Sequence, residues 1–241
     1  MTEPRWLRRI VGSIRSRLRL GRHLGGDVDF GDLRRTRPLS SSFGLDRGLP
    51  IDRAYIEAFL DSHRSRIRGR VLEIGDARYT RHFGDGVTRS DVLHVTAGNP
   101  EATMVGDLST GANLPDERFD CAIVTQTIQM IYDFHAAVRT LHRILAPGGS
   151  LLLTTHGISR IGRRLGRDDW GEYWRFTAPA LAILFGETFG EEVEVRPYGN
   201  VLSATAFLHG LAADEITPDE LASTDPDFEV LIGVRATKRG R

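Results

Sequence analysis

Short apolar runs separated by polar, turn-rich segments organise this chain. Residues 70–74 (RVLEI), 87–95 (VTRSDVLHV), 102–108 (ATMVGDL), 119–126 (FDCAIVTQ) and 150–156 (SLLLTTH) each have the length and composition of a strand. The fourth is nearly all apolar, the pattern of a strand covered on both faces, and is placed at the centre of a sheet. Residues 192–199 and 228–238 supply two further runs. Elsewhere the spacing turns helical. Ile56, Phe59, Leu60 and Ile67 share one face of a helix that Asp52 stands ready to cap. Residues 134–145 are amphipathic and end at Ala146-Pro147-Gly148-Gly149, a stop-and-turn signal. Thr177 reads as the cap of a helix through Phe189, and residues 203–214 as a late helix. Strands alternating with helices predict a mostly parallel α/β sheet with right-handed crossovers. Ligands of such sheets lie at the carboxyl ends of the strands.

Composition narrows the picture modestly. At 241 residues the chain builds one large core, and its formal net charge of zero gives no global field for nucleic acid. The basic residues are arginines apart from Lys238. A single cysteine, Cys121, excludes an intrachain disulfide and fits a reducing, cytoplasmic setting. No apolar run reaches membrane-spanning length. The expected organisation is a basic N-terminal helix with a linker or lid over residues 1–50, then one domain over 51–241. In the first segment Arg5, Arg8, Arg9, Arg15, Arg17, Arg19 and Arg22 interleave with Trp6, Leu7, Ile10, Val11, Ile14 and Leu18. Arginines inside the apolar stretch argue against a cleaved leader. Such a helix can pack on its own domain or on the mate of a homodimer, or touch an anionic membrane or a partner.

The first strand runs into VLEIGDARYTRHFG, residues 71–84. A dinucleotide site needs several glycines so that the backbone can approach a pyrophosphate. Here Ala77 and Tyr79 stand where later glycines would be, which disfavours NAD. S-adenosylmethionine carries no phosphate and asks less. It needs one glycine beside the methionine and ribose, an acid for the ammonium group, one for the ribose hydroxyls and one for the adenine amino group. Glu73, Gly75, Asp91 and Asp107 stand at those spacings.

As a set, VLEIG, the acid near the end of the second strand, GDL after the third, FDCAIVTQTIQ and LHRILAPGGSLLLTT resemble class I S-adenosylmethionine-dependent methyltransferases of the small-molecule type. The resemblance covers about residues 51–189, and YWRFT at 173–177 recurs in that group. It implies a Rossmann-like, seven-stranded, mostly parallel sheet of order 3-2-1-4-5-7-6 with helices on both faces and the last strand antiparallel. S-adenosyl-L-methionine would be the cofactor. Leu108 and Gln126, inside the matching motifs, join its site, and Arg53 and Tyr55 reach over the methionine end. Arg53 reads equally well as a solvated residue at a helix start. Two departures stand out: the loop keeps one glycine, and the helix usual after the second strand is reduced to residues 98–102.

A hydroxyl acceptor needs a base, and histidine suits that role near neutral pH. His156, at the end of the fifth strand with Gly157 beside it, is the first candidate and His135 the second. Residues 157–177 contain Asp168, Asp169, Trp170, Glu172, Tyr173 and Trp174. Aromatic faces beside carboxylates suit a carbohydrate ring, and Asp169, Trp170, Tyr173 and Trp174 are the candidate acceptor contacts. The acids are also of a kind that holds a divalent ion such as Mg2+, although no spaced ligand motif supports a metal. No NPPY-type tetrapeptide follows the fourth strand, which favours oxygen over amide nitrogen. The sequence is similar to the sugar and polysaccharide O-methyltransferases of actinobacteria, whose acceptors are sugar hydroxyls, and a small-molecule or oligosaccharide acceptor is the expected partner. A non-catalytic binding module with a decayed loop, and an enzyme acting on a lipid or polyketide, are the competing readings.

Overall fold

The computed structural model describes residues 29, 31–162 and 171–240. The basic N-terminal segment and Asp168, Asp169 and Trp170 lie outside the described residues. Contacts divide the chain into two compact units, Met1–Arg37 and Pro38–Arg241. The expected boundary at 50/51 therefore falls inside the second unit. Leu39 and Ser40 donate their amides to the His209 carbonyl, and the Phe43 ring lies 6.2 Å from Phe207. Among the described residues of the first unit, a 3-10 turn spans Gly31–Leu33.

Seven strands form one sheet in the order β3-β2-β1-β4-β5-β7-β6. They are β1 (Gly69–Ile74), β2 (Val87–His94), β3 (Met104–Val105), β4 (Phe119–Thr125), β5 (Leu145–His156), β6 (Val193–Tyr198) and β7 (Leu231–Thr237). Only β7 runs antiparallel to its neighbours. Order and direction agree with the expected fold, and β4 sits at the centre, as its apolar run requires. The third strand is far shorter than expected, pairing only through Met104 and Val105. No helix separates β2 from β3.

Six helices flank the sheet among the described residues: α1 (Ile51–Ser62), α2 (Arg78–Phe83), α3 (Phe134–Ile144), α4 (Ala178–Phe189), α5 (Val201–His209) and α6 (Pro218–Ala222). One face buries Leu72, Val124, Leu151 and Leu153 against Val138, Leu141, Leu181 and Phe185 of α3 and α4. The other buries Val71, Ile123 and Leu152 against Ile56, Phe59, Tyr79 and Phe207 of α1, α2 and α5. Each fully buried side chain of this size contributes roughly 1.5–3 kcal/mol, so the paired cores fix the strand ends from both sides.

Two expected caps work differently. Pro50, not Asp52, precedes α1, and Asp52 lies buried inside its first turn. Thr177 precedes α4 without a side-chain cap; both Glu229 oxygens accept from the Ala178 amide, at 3.2 and 3.0 Å. Among the described residues no helix is long and apolar enough to cross a membrane.

Candidate functional site

The carboxyl ends of β1, β2, β4 and β5 carry the candidate groups. Glu73 is buried on β1, and its two oxygens accept from the backbone amides of Tyr79 (3.0 Å) and Thr80 (2.7 Å). A carboxylate at the amino end of α2 satisfies donors that the helix leaves orphaned. Burial nevertheless pushes the Glu73 pKa up, against those bonds. The acid expected to meet the cofactor ammonium is thus engaged in bracing the loop.

Gly75 follows with φ +87°, and a Cβ built there would meet nothing within 4 Å. A side chain at that φ is strained whatever the space. Ala77 holds a negative φ of −109°, so the missing second glycine costs the backbone little. Tyr79, at the place of the later glycine, turns inward. It is buried between α1 and α2, with its hydroxyl accepting from Arg53 Nη1 at 2.8 Å. Arg53 therefore points at Tyr79, and Tyr55 at the Leu221 carbonyl (3.0 Å) and the Tyr198 ring (5.7 Å). Tyr55 faces the core of α1, α5 and α6, which corrects its placement over the methionine end.

Asp91 requires a second correction. Register pairs Asp91 with Leu72, and β2 continues for three more residues to His94. The Asp91 carboxylate is 1% exposed and pairs with Arg70 Nε at 2.6 Å and Arg89 Nε at 3.2 Å. It is therefore an element of the sheet and not a ligand for ribose hydroxyls. His94 ends β2, and its Nδ1 accepts from the Thr96 amide at 3.2 Å. Beyond it, Asn99 donates its side-chain amide to the Gly75 carbonyl and draws the β2–β3 connection across the loop.

Asp107 follows β3. Its Oδ1 accepts from the Ser109 amide and hydroxyl, both at 2.7 Å, while Oδ2 takes no hydrogen bond within the described residues. Leu108 beside it is buried. Gln126, just past β4, adopts φ +48°, and its side-chain NH2 is buried without a partner. Its Oε1 accepts from Gln129 Nε2 at 3.0 Å, and Gln129 Oε1 accepts from Thr155 on β5 at 3.0 Å. The Gln129 carbonyl accepts from the amides of Tyr173 (2.9 Å) and Trp174 (3.2 Å). Tyr173 and Trp174 are thereby tied to the segment that follows β4.

Within that loop, Trp174 is an anchor: its indole N–H donates to the Ile131 and Tyr132 carbonyls, both at 3.2 Å. Tyr173 is 54% exposed and meets the 71% exposed Tyr132 edge to face, with ring centroids 5.4 Å apart. Tyr132 was missed because it sits between the β4 motif and α3, where sequence offers no periodic cue. His135 is exposed in the first turn of α3, stacked on Phe134 at 4.4 Å, away from the buried groups.

His156 ends β5 on the α1 and α5 face, 8% exposed. Its Nε2 lies 3.6 Å from Asp52 Oδ2 on α1, and its Nδ1 lies 3.8 Å from Glu172 Oε1. Burial lowers the His156 pKa, but the two carboxylates outweigh it and leave a net rise. Burial likewise raises the Glu172 pKa, and His156, the Gly162 amide and Arg175 reverse it to a net fall. Gly157 packs closely on the neighbouring chain, since a Cβ there would lie 2.2 Å from the Glu229 carbonyl. Among the described residues no cluster of three metal-ligating side chains could hold an ion. A hollow of about 720 Å³ lies at the opposite, amino edge of the sheet around Gly69, Asp120 and Gly149.

The arrangement can be set beside known proteins. A family model described as a methyltransferase domain matches residues 60–188. A search of curated proteins found no match. Among solved structures, an S-adenosylmethionine-dependent methyltransferase from Archaeoglobus fulgidus superposes with a TM-score of 0.51 at 9% identity, covering 77% of this chain and 94% of that one. A possible histamine N-methyltransferase from Thermotoga maritima gives 0.50 at 18% identity, covering 77% and 92%. The [4+2]-cyclase SpnF also gives 0.50 at 18% identity, covering 77% and 81%. At such identities the likeness is one of fold.

Proposed function

The chain belongs to the methyltransferase-domain family matched over residues 60–188 and is an S-adenosylmethionine-dependent methyltransferase, and on that premise we propose that it methylates a hydroxyl of a sugar, an oligosaccharide or a glycosylated metabolite. The observation that carries the reading is His156. Among the described histidines it alone is both buried and at the carboxyl edge of the sheet. A hydroxyl must lose its proton as it is methylated, and a positioned imidazole takes it.

Of the four positions read for the cofactor, Gly75 and Asp107 fit it, while Glu73, meant for the ammonium group, is engaged by the Tyr79 and Thr80 amides. Open space above Gly75 and the unengaged Oδ2 of Asp107 suit the methionine side and the adenine amino group. The ribose acid read from sequence is committed elsewhere, and His94 stands at that strand end instead. When bound, S-adenosylmethionine supplies an electrophilic methyl group. The protein's share is to orient the acceptor, exclude water and hold the proton at His156.

Tyr132 and Tyr173 offer open aromatic faces of the kind on which a pyranose ring stacks. A lipid or polyketide would be better served by an enclosed apolar slot, and these two rings are largely in solvent. The test is titration of the protein and of Asp107→Ala with S-adenosylhomocysteine, followed by methyl transfer to sugar acceptors. We expect binding weakened about tenfold in the variant, equivalent to roughly 1.4 kcal/mol. No binding to the unaltered protein would favour a non-catalytic module, and methylation of amines but not hydroxyls would remove the sugar reading.

A further inference from the structure

We propose that Asp52 and Glu172 are positioning residues that hold His156 from two separate elements and decide which ring nitrogen takes the acceptor's proton. This rests on the reading of His156 as the base. Asp52 comes from the first turn of α1, whereas Glu172 lies in the connection between β5 and α4, far along the chain. The described charged groups facing the ring are these two. Among its other described neighbours are Phe207 of α5, with ring centroids 5.9 Å apart, and Leu231, its pairing partner on β7.

An arrangement kept only for stability would be expected to close its hydrogen bonds, as Asp91 does with its arginines. This one does not. Both His156 nitrogens and Asp52 Oδ1 are buried without a hydrogen-bond partner. Glu172, by contrast, is fixed, accepting from Arg175 Nη1 and from the Gly162 amide. A fixed carboxylate beside Nδ1 keeps the proton on that nitrogen and leaves Nε2 basic. The proton lost by the acceptor oxygen passes to Nε2, and Asp52, 3.6 Å away, stabilises the positive charge that forms on the ring. Catalytic hydrogen bonds are often long in the absence of substrate and tighten when it binds. Because Phe176 donates its amide to the His156 carbonyl at 3.3 Å, the segment bearing Glu172 is also pinned to the strand that bears the base.

The test follows the His156 Cε1 proton by NMR across pH in the unaltered protein, Glu172→Gln and Asp52→Asn, with His156→Gln identifying the resonance. Each substitution should lower the His156 pKa by roughly one unit. In methyl transfer the acid limb of kcat should move to lower pH by the same amount, kcat should fall about tenfold, and the KM for S-adenosylmethionine should stay unchanged. Glu172→Asp, which keeps the charge, should restore part of the rate. A His156 titration unchanged in both variants would overturn the proposal. So would a shifted titration with an unmoved pH profile in an active enzyme. The ring titration needs no acceptor, so it decides the contact even where no sugar is methylated, an outcome that would remove only the acceptor reading.

Discussion

Asp91 and His156 are both buried ionisable groups, 1% and 8% exposed, and both lie on strands of the same sheet. Their surroundings differ in one respect. Around Asp91 two arginines close on the carboxylate at 2.6 and 3.2 Å. Around His156 two carboxylates approach only to 3.6 and 3.8 Å, and both ring nitrogens go without a hydrogen bond. Burial alone does not mark a functional group. A buried charge whose bonds are complete holds the sheet together, while one left incomplete keeps capacity for a substrate or a proton.

The difference can be pressed by substitution. The largest effect should come from His156→Gln, which should lower kcat by roughly 10²–10⁴-fold as the base is lost. Single-turnover methyl transfer checks this, and S-adenosylhomocysteine affinity should be unchanged. Next comes Asp91→Ala. Leaving Arg70 without its buried partner should cost about 3 kcal/mol of stability, read by urea unfolding. Loss of cofactor affinity with stability intact would instead return Asp91 to the ribose. Gly75→Ala should cost about 1 kcal/mol through its positive φ, with little steric clash, and calorimetry would show it.

The smallest effect concerns Glu215, which Arg47 holds at a pKa of about 2. A depressed carboxylate contributes stability above its unfolded pKa, near 4.5, and loses that contribution as pH falls toward 2. The pair is partly exposed, so Glu215→Gln should shift the acid-unfolding midpoint only slightly, and salt should shrink the shift further.

The strand order was legible because long apolar runs such as 119–126 admit one kind of placement, at the centre of a covered sheet. Strand ends were less legible. The alternation through Arg89, Asp91 and Leu93 does not say that pairing continues to His94, and three residues decide whether an acid meets a ligand or the neighbouring strand. Tyr79 illustrates a different limit. Its direction is set by the rotation of a short helix against α1, and the sequence shows only that a glycine is missing. His156 was visible as a polar end to an apolar run, but Asp52 read as a cap and Glu172 as one loop acid among several. Their meeting is a contact between distant segments, which no local pattern encodes.

The most direct measurement is the urea midpoint of Asp91→Ala beside that of His156→Gln, under conditions where both proteins bind S-adenosylhomocysteine. The account expects a large fall for Asp91→Ala and, for His156→Gln, which retains a hydrogen-bond donor between the carboxylates, a change within about 1 kcal/mol. Equal losses in the two would contradict it, because His156 would then be holding the fold together just as Asp91 does.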